Sequence, residues 1–149
     1  MTSAHGELAI PDTNVLIHLL RMDPTGRAIE AEHSLTGRRE QPILSSVVEA
    51  EVLCVGRYWR WGPKRMDEAR ELLRSFIRLD AGQPEIVEAY VELYCDARRV
   101  GRYKEFRQND LWIAATARAV GAVLYTCNAK DFDWIDPAYV AVVDIEQPR

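Results

Sequence analysis

Four acidic residues stand where an apolar run meets a turn or the start of a helix: Asp12, Glu51, Asp110 and Asp131. Asp12 closes the apolar run at residues 8–11, and Asp131 follows the strand-like run at residues 122–126. If these strands are parallel neighbours, their carboxyl ends share the edge of the sheet where open α/β folds bind ligands. Carboxylates gathered there repel one another unless a cation joins them, and oxygen ligands suit Mg²⁺ or Mn²⁺. The pattern therefore predicts a metal-dependent enzyme.

Each acid taken alone also has a purely structural explanation. Asp110 stands in the first turn of a predicted helix, where the helix dipole stabilises a carboxylate by about 0.3–1 kcal/mol. Asp12 fits a turn, Glu51 a solvated helix face, and Asp131 a surface loop. Four such residues at the edges of predicted elements favour a shared site over four separate explanations.

The elements that must position these acids alternate between strands and helices. We predict strands at residues 7–11, 42–45, 78–80, 122–126 and 140–143. We predict helices at residues 13–21, 27–36, 46 to about 58 or 61, 64–77, 84–100 and 110–120. Ser46 and Glu49 have the spacing of a capping box, and Asn109 is the predicted cap of the last helix. This alternation predicts an α/β fold: a three-layer α/β/α sandwich around a central, mainly parallel sheet.

Length and composition place further bounds. The chain has 149 residues, which predicts a single domain over residues 1–149. No stretch approaches the ~20 apolar residues of a membrane span, and residues 1–7 are too polar for a secretory signal. The three cysteines, Cys54, Cys95 and Cys127, form no C-x-x-C pair and are odd in number, which predicts reduced thiols in the cytoplasm. A net charge of −4 argues against a protein that simply coats nucleic acid.

The residues around the four acids carry a resemblance to a known family. The blocks are Asp12-Thr13-Asn14-Val15-Leu16, then Ser45 six residues before Glu51, then Asn109-Asp110 with Ile113-Ala114-Ala115, then Thr126-x-Asn128-x-x-Asp131-Phe132. Their order, with steps of 39, 59 and 21 positions from each acid to the next, resembles the PIN-domain family. At this length the chain most resembles the VapC-type toxins of toxin–antitoxin pairs.

This resemblance implies a fold, an activity and partners. It implies a PIN-like endoribonuclease dependent on Mg²⁺ or Mn²⁺, with RNA as substrate, a cognate antitoxin and a homodimeric assembly. Asp12, Glu51, Asp110 and Asp131 would be the catalytic, metal-binding acids. Asn14, Ser45, Thr126 and Asn128 would orient the acids or bound water.

Two positions depart from the family's pattern. Pro11 stands where an aliphatic residue is usual, and it removes a backbone donor at the end of the strand. Asn128 stands where some members carry another acid, so a second metal would bind only with substrate.

Basic and aromatic residues outside the acid set leave alternatives open. Arg102, Lys104 and Arg107 precede Asp110 and would either contact RNA phosphates or form a plain solvated loop. The segment Tyr58-Trp59-Arg60-Trp61 would either stack on bases or pack against another helix or chain.

Other functions also compete with the toxin. The same fold suits a housekeeping RNA-processing nuclease, or a catalytically silent RNA-binding module. A signalling receiver domain needs an acidic pair at its first strand, and a D-x-D phosphotransferase needs a second acid two residues after the first. Asp12 is followed by Thr13 and Asn14, which argues against both classes.

Overall fold

A computed structural model of the protein describes residues 7–147. The single-domain prediction includes both chain ends, which lie outside the described residues. Most of the N-terminal segment that is predicted not to be a signal also lies outside them. Within them, strands and helices alternate in the order β1 (Ala9–Pro11), α1 (Thr13–Arg21), α2 (Pro24–His33), β2 (Ile43–Ser45), α3 (Ser46–Tyr58), α4 (Pro63–Arg74), β3 (Ile77–Leu79), α5 (Pro84–Arg99), α6 (Gln108–Val120), β4 (Val123–Thr126) and β5 (Val142–Asp144). Short 3₁₀ turns cover Glu105–Arg107 and Ala129–Asp131.

Every strand pair is parallel, as the alternation predicts. One ladder has the order β1-β4-β5, and β2 pairs with β3 in a second ladder that lies beside β1. Successive residues of β1 and β2 are all buried, so helices cover both faces of these strands. The three-layer α/β/α class is therefore confirmed. None of the helices within residues 7–147 is long and apolar enough to cross a membrane.

The strand register brings the start of α1 to the end of β4. Pro11 lies opposite Tyr125 in the parallel ladder, and the Asp12 N–H donates to the Tyr125 carbonyl at 2.8 Å. Pro11 therefore ends β1 without interrupting the pairing, because the next residue supplies the donor that proline lacks. Asp12 and Thr126 consequently stand side by side at the carboxyl edge.

Several predicted boundaries and caps are corrected by the structure. Helix α2 begins at Pro24 and not at residue 27, because the Asp23 carboxylate caps it by accepting from the Gly26 N–H at 2.8 Å. The Ser46–Glu49 capping box does not form. Ser45 caps α3 by accepting from the Val47 N–H at 3.1 Å.

The predicted start of α6 is also wrong. This helix begins at Gln108, two residues before the expected position, and Asn109 is inside it and not its cap. The strands β3 and β5 lie at Ile77–Leu79 and Val142–Asp144, each displaced by one or two residues from its predicted range. The prediction at the other end of α6 is confirmed, since Gly121 ends that helix with a φ of 68°.

Close packing of α1 on α2 depends on one glycine. A Cβ at Gly26 would lie 2.1 Å from the carbonyl oxygen of His18, a distance that no side chain tolerates. Glycine at this position lets the backbones of the two helices approach and holds α1, which carries Thr13 and Asn14, against the rest of the domain.

Candidate active site

Asp12 is the most rigidly held of the four acids. It is the N-cap of α1, where one carboxylate oxygen accepts from the Thr13 N–H and the other from the Thr126 hydroxyl, both at 2.8 Å. Its side chain is buried, with 6% of the residue exposed. Burial raises the pKa of Asp12, and the two hydrogen bonds oppose this increase. Thr126 therefore orients the acid, as the resemblance implies.

Glu51 connects three helices. It lies in the second turn of α3, which Ser45 caps, so the end of β2 and the helix start fix its position. One carboxylate oxygen accepts from the Thr13 hydroxyl at 2.6 Å, and the other accepts from the Asn109 side-chain amide at 3.3 Å. Helices α1, α3 and α6 thus all contribute to its environment.

Asp110 carries the strongest electrostatic perturbation among the four acids. It lies in the first turn of α6. Burial raises its pKa to about 7, and the negative charges of Asp12, Asp131 and Glu51 add to the increase while Arg107 opposes it. Burial is the first cause of this shift, and the three neighbouring carboxylates contribute to it.

Asp131 lies in the 3₁₀ turn that follows β4. Its carboxylate forms an ion pair with the Arg107 guanidinium, and its backbone carbonyl accepts from the Trp134 indole N–H at 3.0 Å. The Asn128 N–H donates to the Thr126 hydroxyl at 3.0 Å, which connects the same turn to the strand end. Backbone and side-chain contacts therefore fix the turn that presents Asp131.

The four acids line one groove, although they come from distant parts of the chain. The groove has a volume of about 420 Å³ and is lined by the acids together with Thr13, Asn14, Ile17, His18, Arg21, Val55 and Asn128. Asn14 also accepts from the Cys127 N–H at 3.2 Å and so connects α1 to the segment after β4. Ser45 is fully buried and acts as a helix cap, so it positions Glu51 through the backbone of α3.

The three predicted RNA-binding residues have different surroundings. Arg102 donates to the Lys130 carbonyl at 3.0 Å and pairs with Asp133 at 2.9 Å, so it connects two loops. Arg107 reaches the acids themselves. Lys104 is exposed and lines a small cavity next to the groove, together with Arg102 and Arg107.

Two site residues were not identified as such from the sequence: Thr13 and Asn109. Both donate to Glu51, and each directly precedes or follows one of the acids. Asn109 was assigned to a helix cap because asparagine is common there. Adjacency to Asp12 and Asp110 was the one available indication that these side chains also face the site.

The aromatic segment after α3 divides into two parts. Tyr58 and Trp59 are exposed, at 80% and 67% of their surface. Trp61 instead lies against Gly56 of α3, and the Arg65 guanidinium stands 5.2 Å from its ring centre. Trp61 is therefore a packing residue, while both alternatives remain for the first two aromatics.

The donor set of the groove suits a hard divalent cation, because carboxylate and amide oxygens are the ligands that Mg²⁺ and Mn²⁺ prefer. Within residues 7–147, however, no three His, Cys, Asp or Glu side chains form a group already arranged to hold a metal ion. Hydrogen bonds and the Arg107 ion pair occupy carboxylate oxygens that a metal would use.

The fold and the groove together describe a parallel α/β domain with an acidic site at the carboxyl edge of its sheet. Comparisons with known proteins identify the family of this domain. The PIN domain family model matches residues 9–136, so the chain belongs to the PIN domain family.

One similar protein is named Ribonuclease VapC1 and comes from Haemophilus influenzae (strain R2866). It is 28% identical over 124 residues, which cover 83% of this chain and 89% of that protein. Among solved structures, VapBC-1 from nontypeable Haemophilus influenzae is similar with a TM-score of 0.75 and 25% identity, covering 94% of this chain and 99% of that one. A toxin-antitoxin complex from Klebsiella pneumoniae is similar with a TM-score of 0.69 and 25% identity, again covering 94% and 99%.

Proposed function

We propose that this protein is an endoribonuclease dependent on Mg²⁺ or Mn²⁺ that acts as the toxin of a toxin–antitoxin pair in the cytoplasm. The observation that carries the proposal is the convergence of Asp12, Glu51, Asp110 and Asp131 on one groove. Similarity to a protein named Ribonuclease VapC1 supports ribonuclease chemistry over other uses of such a groove.

Asp12, Glu51, Asp110 and Asp131 would hold the metal. When bound, such a metal supplies Lewis-acid polarisation of the scissile phosphate and lowers the pKa of a water. Asp12 is fixed by Thr13 and Thr126 and serves as the rigid reference point of the site. Glu51, held by the Thr13 hydroxyl and the Asn109 amide, is positioned to accept a proton from water.

The test of the activity is cleavage of RNA by the purified protein, with the ends mapped. Total RNA is incubated with and without Mg²⁺ or Mn²⁺, using Asp110→Asn as the site variant and Asp67→Asn, an exposed acid on α4, as the matched control. We expect cleavage only with metal, a decrease of at least about 100-fold in Asp110→Asn, and wild-type activity in the control.

The outcomes separate the candidate functions. Cleavage of one RNA at a few positions supports the toxin, and growth arrest on expression that a co-expressed neighbour relieves supports it further. Cleavage without growth arrest favours the housekeeping nuclease. RNA binding without cleavage under either metal favours a silent binding module and refutes the proposed chemistry.

We also propose an antitoxin partner and a homodimeric assembly. The support for the partner is the similarity to the VapBC-1 structure and to the toxin-antitoxin complex from Klebsiella pneumoniae. Light scattering of the purified chain gives its subunit number, and co-purification with the product of a neighbouring reading frame tests the partner. A monomer at micromolar concentration contradicts the dimer.

A further inference from the structure

Arg107 places a positive charge among the acids of the site. It ends the 3₁₀ turn at Glu105–Arg107, directly before α6. Its guanidinium contacts the Asp131 carboxylate and lies 3.9 Å from an Asp110 carboxylate oxygen. One arginine thus approaches two of the four acids proposed to hold the metal.

The surroundings of this ion pair allow it to open. The Arg107 side chain is 41% exposed, whereas those of Asp131 and Asp110 are 23% and 27% exposed. A pair with one half-exposed partner contributes little to stability, because water solvates the guanidinium once it separates. The carboxylates are less exposed and keep their place in the groove.

Arginine and a divalent cation compete for the same oxygens. One oxygen of the Asp131 carboxylate points at the Arg107 guanidinium. To coordinate a metal, Asp131 would have to direct that same oxygen at the metal. A guanidinium beside bound metal would also add repulsion between two positive charges. An arginine pair that must open before the cation binds lowers the apparent affinity for the cation, and a bound cation in turn disfavours the pair.

We propose that Arg107 is an internal competitor of the divalent cation: it pairs with Asp131 when the cation is absent and leaves that carboxylate when the cation binds. This rests on the proposed metal-dependent function. Arg107 accordingly sets the metal concentration at which the groove loads.

The test measures binding of Mn²⁺ alone, by calorimetry and by electron paramagnetic resonance of the free ion. Four proteins are compared: wild type, Arg107→Gln, Arg107→Lys and Arg102→Gln. Arg102 is the matched control, because it lies at the same edge but pairs with Asp133. We expect Arg107→Gln to bind Mn²⁺ about three- to tenfold more tightly, Arg107→Lys to be intermediate, and Arg102→Gln to stay within about twofold of wild type.

A second measurement observes the arginine directly. In ¹H–¹⁵N spectra, the Arg107 Nε–H signal, assigned by its loss in Arg107→Gln, should move when Mg²⁺ is added, while the Arg102 signal stays in place. Arg107→Lys keeps a positive charge at this position and so provides a folded comparison if the glutamine variant is unstable.

The failures of the two proposals are distinguishable. If wild type binds Mn²⁺ and Arg107→Gln binds it no more tightly, the competitor is refuted and the metal-dependent function stands. If Arg102→Gln tightens binding equally, general charge and not the ion pair is responsible, and the competitor is again refuted. If no variant binds Mn²⁺, both proposals fall.

Discussion

Replacing Asp110 with asparagine should stabilise the metal-free protein above neutral pH while removing a proposed metal ligand. Burial and the charges of Asp12, Asp131 and Glu51 raise the pKa of this carboxyl from 3.8 to about 7. In the unfolded chain those charges are distant and the side chain is hydrated, so its pKa returns to the ordinary value. Ionising Asp110 therefore destabilises the folded state relative to the unfolded one.

The sign of the pH dependence follows from proton binding. Between pH 3.8 and about 7 the folded state keeps a proton on Asp110 that the unfolded state has lost, so stability falls as pH rises and levels off above pH 7. At about 1.4 kcal/mol per pKa unit, the full difference is about 4 kcal/mol. Because the Asp110 side chain is 27% exposed and its charge is coupled to three other acids, we expect about half of this, roughly 2 kcal/mol, between pH 5 and pH 8.

The assay is urea denaturation of the metal-free protein at pH 5 and pH 8, followed by circular dichroism. Asparagine has nearly the shape of aspartate and no charge, so Asp110→Asn should exceed wild type in free energy of unfolding by about 2 kcal/mol more at pH 8 than at pH 5. The exposed control Asp67→Asn should stay within about 0.5 kcal/mol of wild type at both values. Saturating Mn²⁺ should stabilise wild type and the control but not Asp110→Asn.

One result would refute the reasoning. If the difference in unfolding free energy between Asp110→Asn and wild type is the same at pH 5 and pH 8, the carboxyl does not titrate near neutrality in the folded protein. The raised pKa of Asp110, and the fall in stability between pH 5 and pH 8 that follows from it, would then be wrong.

Three further substitutions test the packing and hydrogen bonds around the site. Gly26→Ala should lower the free energy of unfolding in urea by about 2–4 kcal/mol, because its Cβ would collide with the His18 carbonyl. An unchanged midpoint of the urea denaturation curve would contradict the close helix contact. Tyr125→Phe should raise stability by about 1 kcal/mol in the same assay, because the buried hydroxyl has no hydrogen-bond partner among residues 7–147, and a loss would reveal a partner. Asn109→Ala should slow RNA cleavage about three- to tenfold with little change in melting temperature, because the amide donates to Glu51; unaltered cleavage would assign Asn109 no part in the site.

The sequence was sufficient to predict that the acids share an edge, because strand and helix periodicity act locally. Asp12 follows an apolar run that had to be a buried strand, and its parallel pairing with the run before Thr126 places both at one edge. The bounds of α1 at Thr13–Arg21 agree with the prediction for the same reason: its apolar positions recur at helical spacing.

Helix caps are harder to predict, since two neighbouring residues often have an equal propensity to cap a helix. Ser45 and Ser46 are both good N-caps, and only the tertiary position of β2 decides that Ser45 ends the strand and caps the helix. Ser46 instead accepts from the Ala81 N–H at 3.0 Å, and Glu49 pairs with Arg78, contacts from β3 and the loop after it that no local pattern indicates. The start of α2 can be predicted from the sequence, because Asp23 is a helix cap and Pro24 is a favoured first helical residue.

The pairing of Arg107 with Asp131 could not be inferred from spacing. The two residues are on different elements, and a basic residue before an acidic helix start fits a solvated loop equally well. Their meeting depends on how the 3₁₀ turn before α6 lies against the turn after β4. Such contacts arise from tertiary packing, and for this reason the sequence leaves Arg107 either to RNA phosphates or to a solvated loop and does not pair it with the acids.

The acids of the site differ in how firmly their carboxylate oxygens are held. Both oxygens of Asp12 are held by a backbone N–H and a buried threonine hydroxyl, which cannot leave without disturbing α1 or β4. Glu51 is held by two side chains, the Thr13 hydroxyl and the Asn109 amide, and Asp131 is held by the Arg107 guanidinium; all of these groups can rotate away. Substituting Asp12 should therefore affect both folding and activity, whereas substituting Asp131 should affect metal loading with less effect on stability. The site thus combines a rigidly held carboxylate with others whose present partners can be exchanged, which is the arrangement that reversible binding of the proposed cation would require.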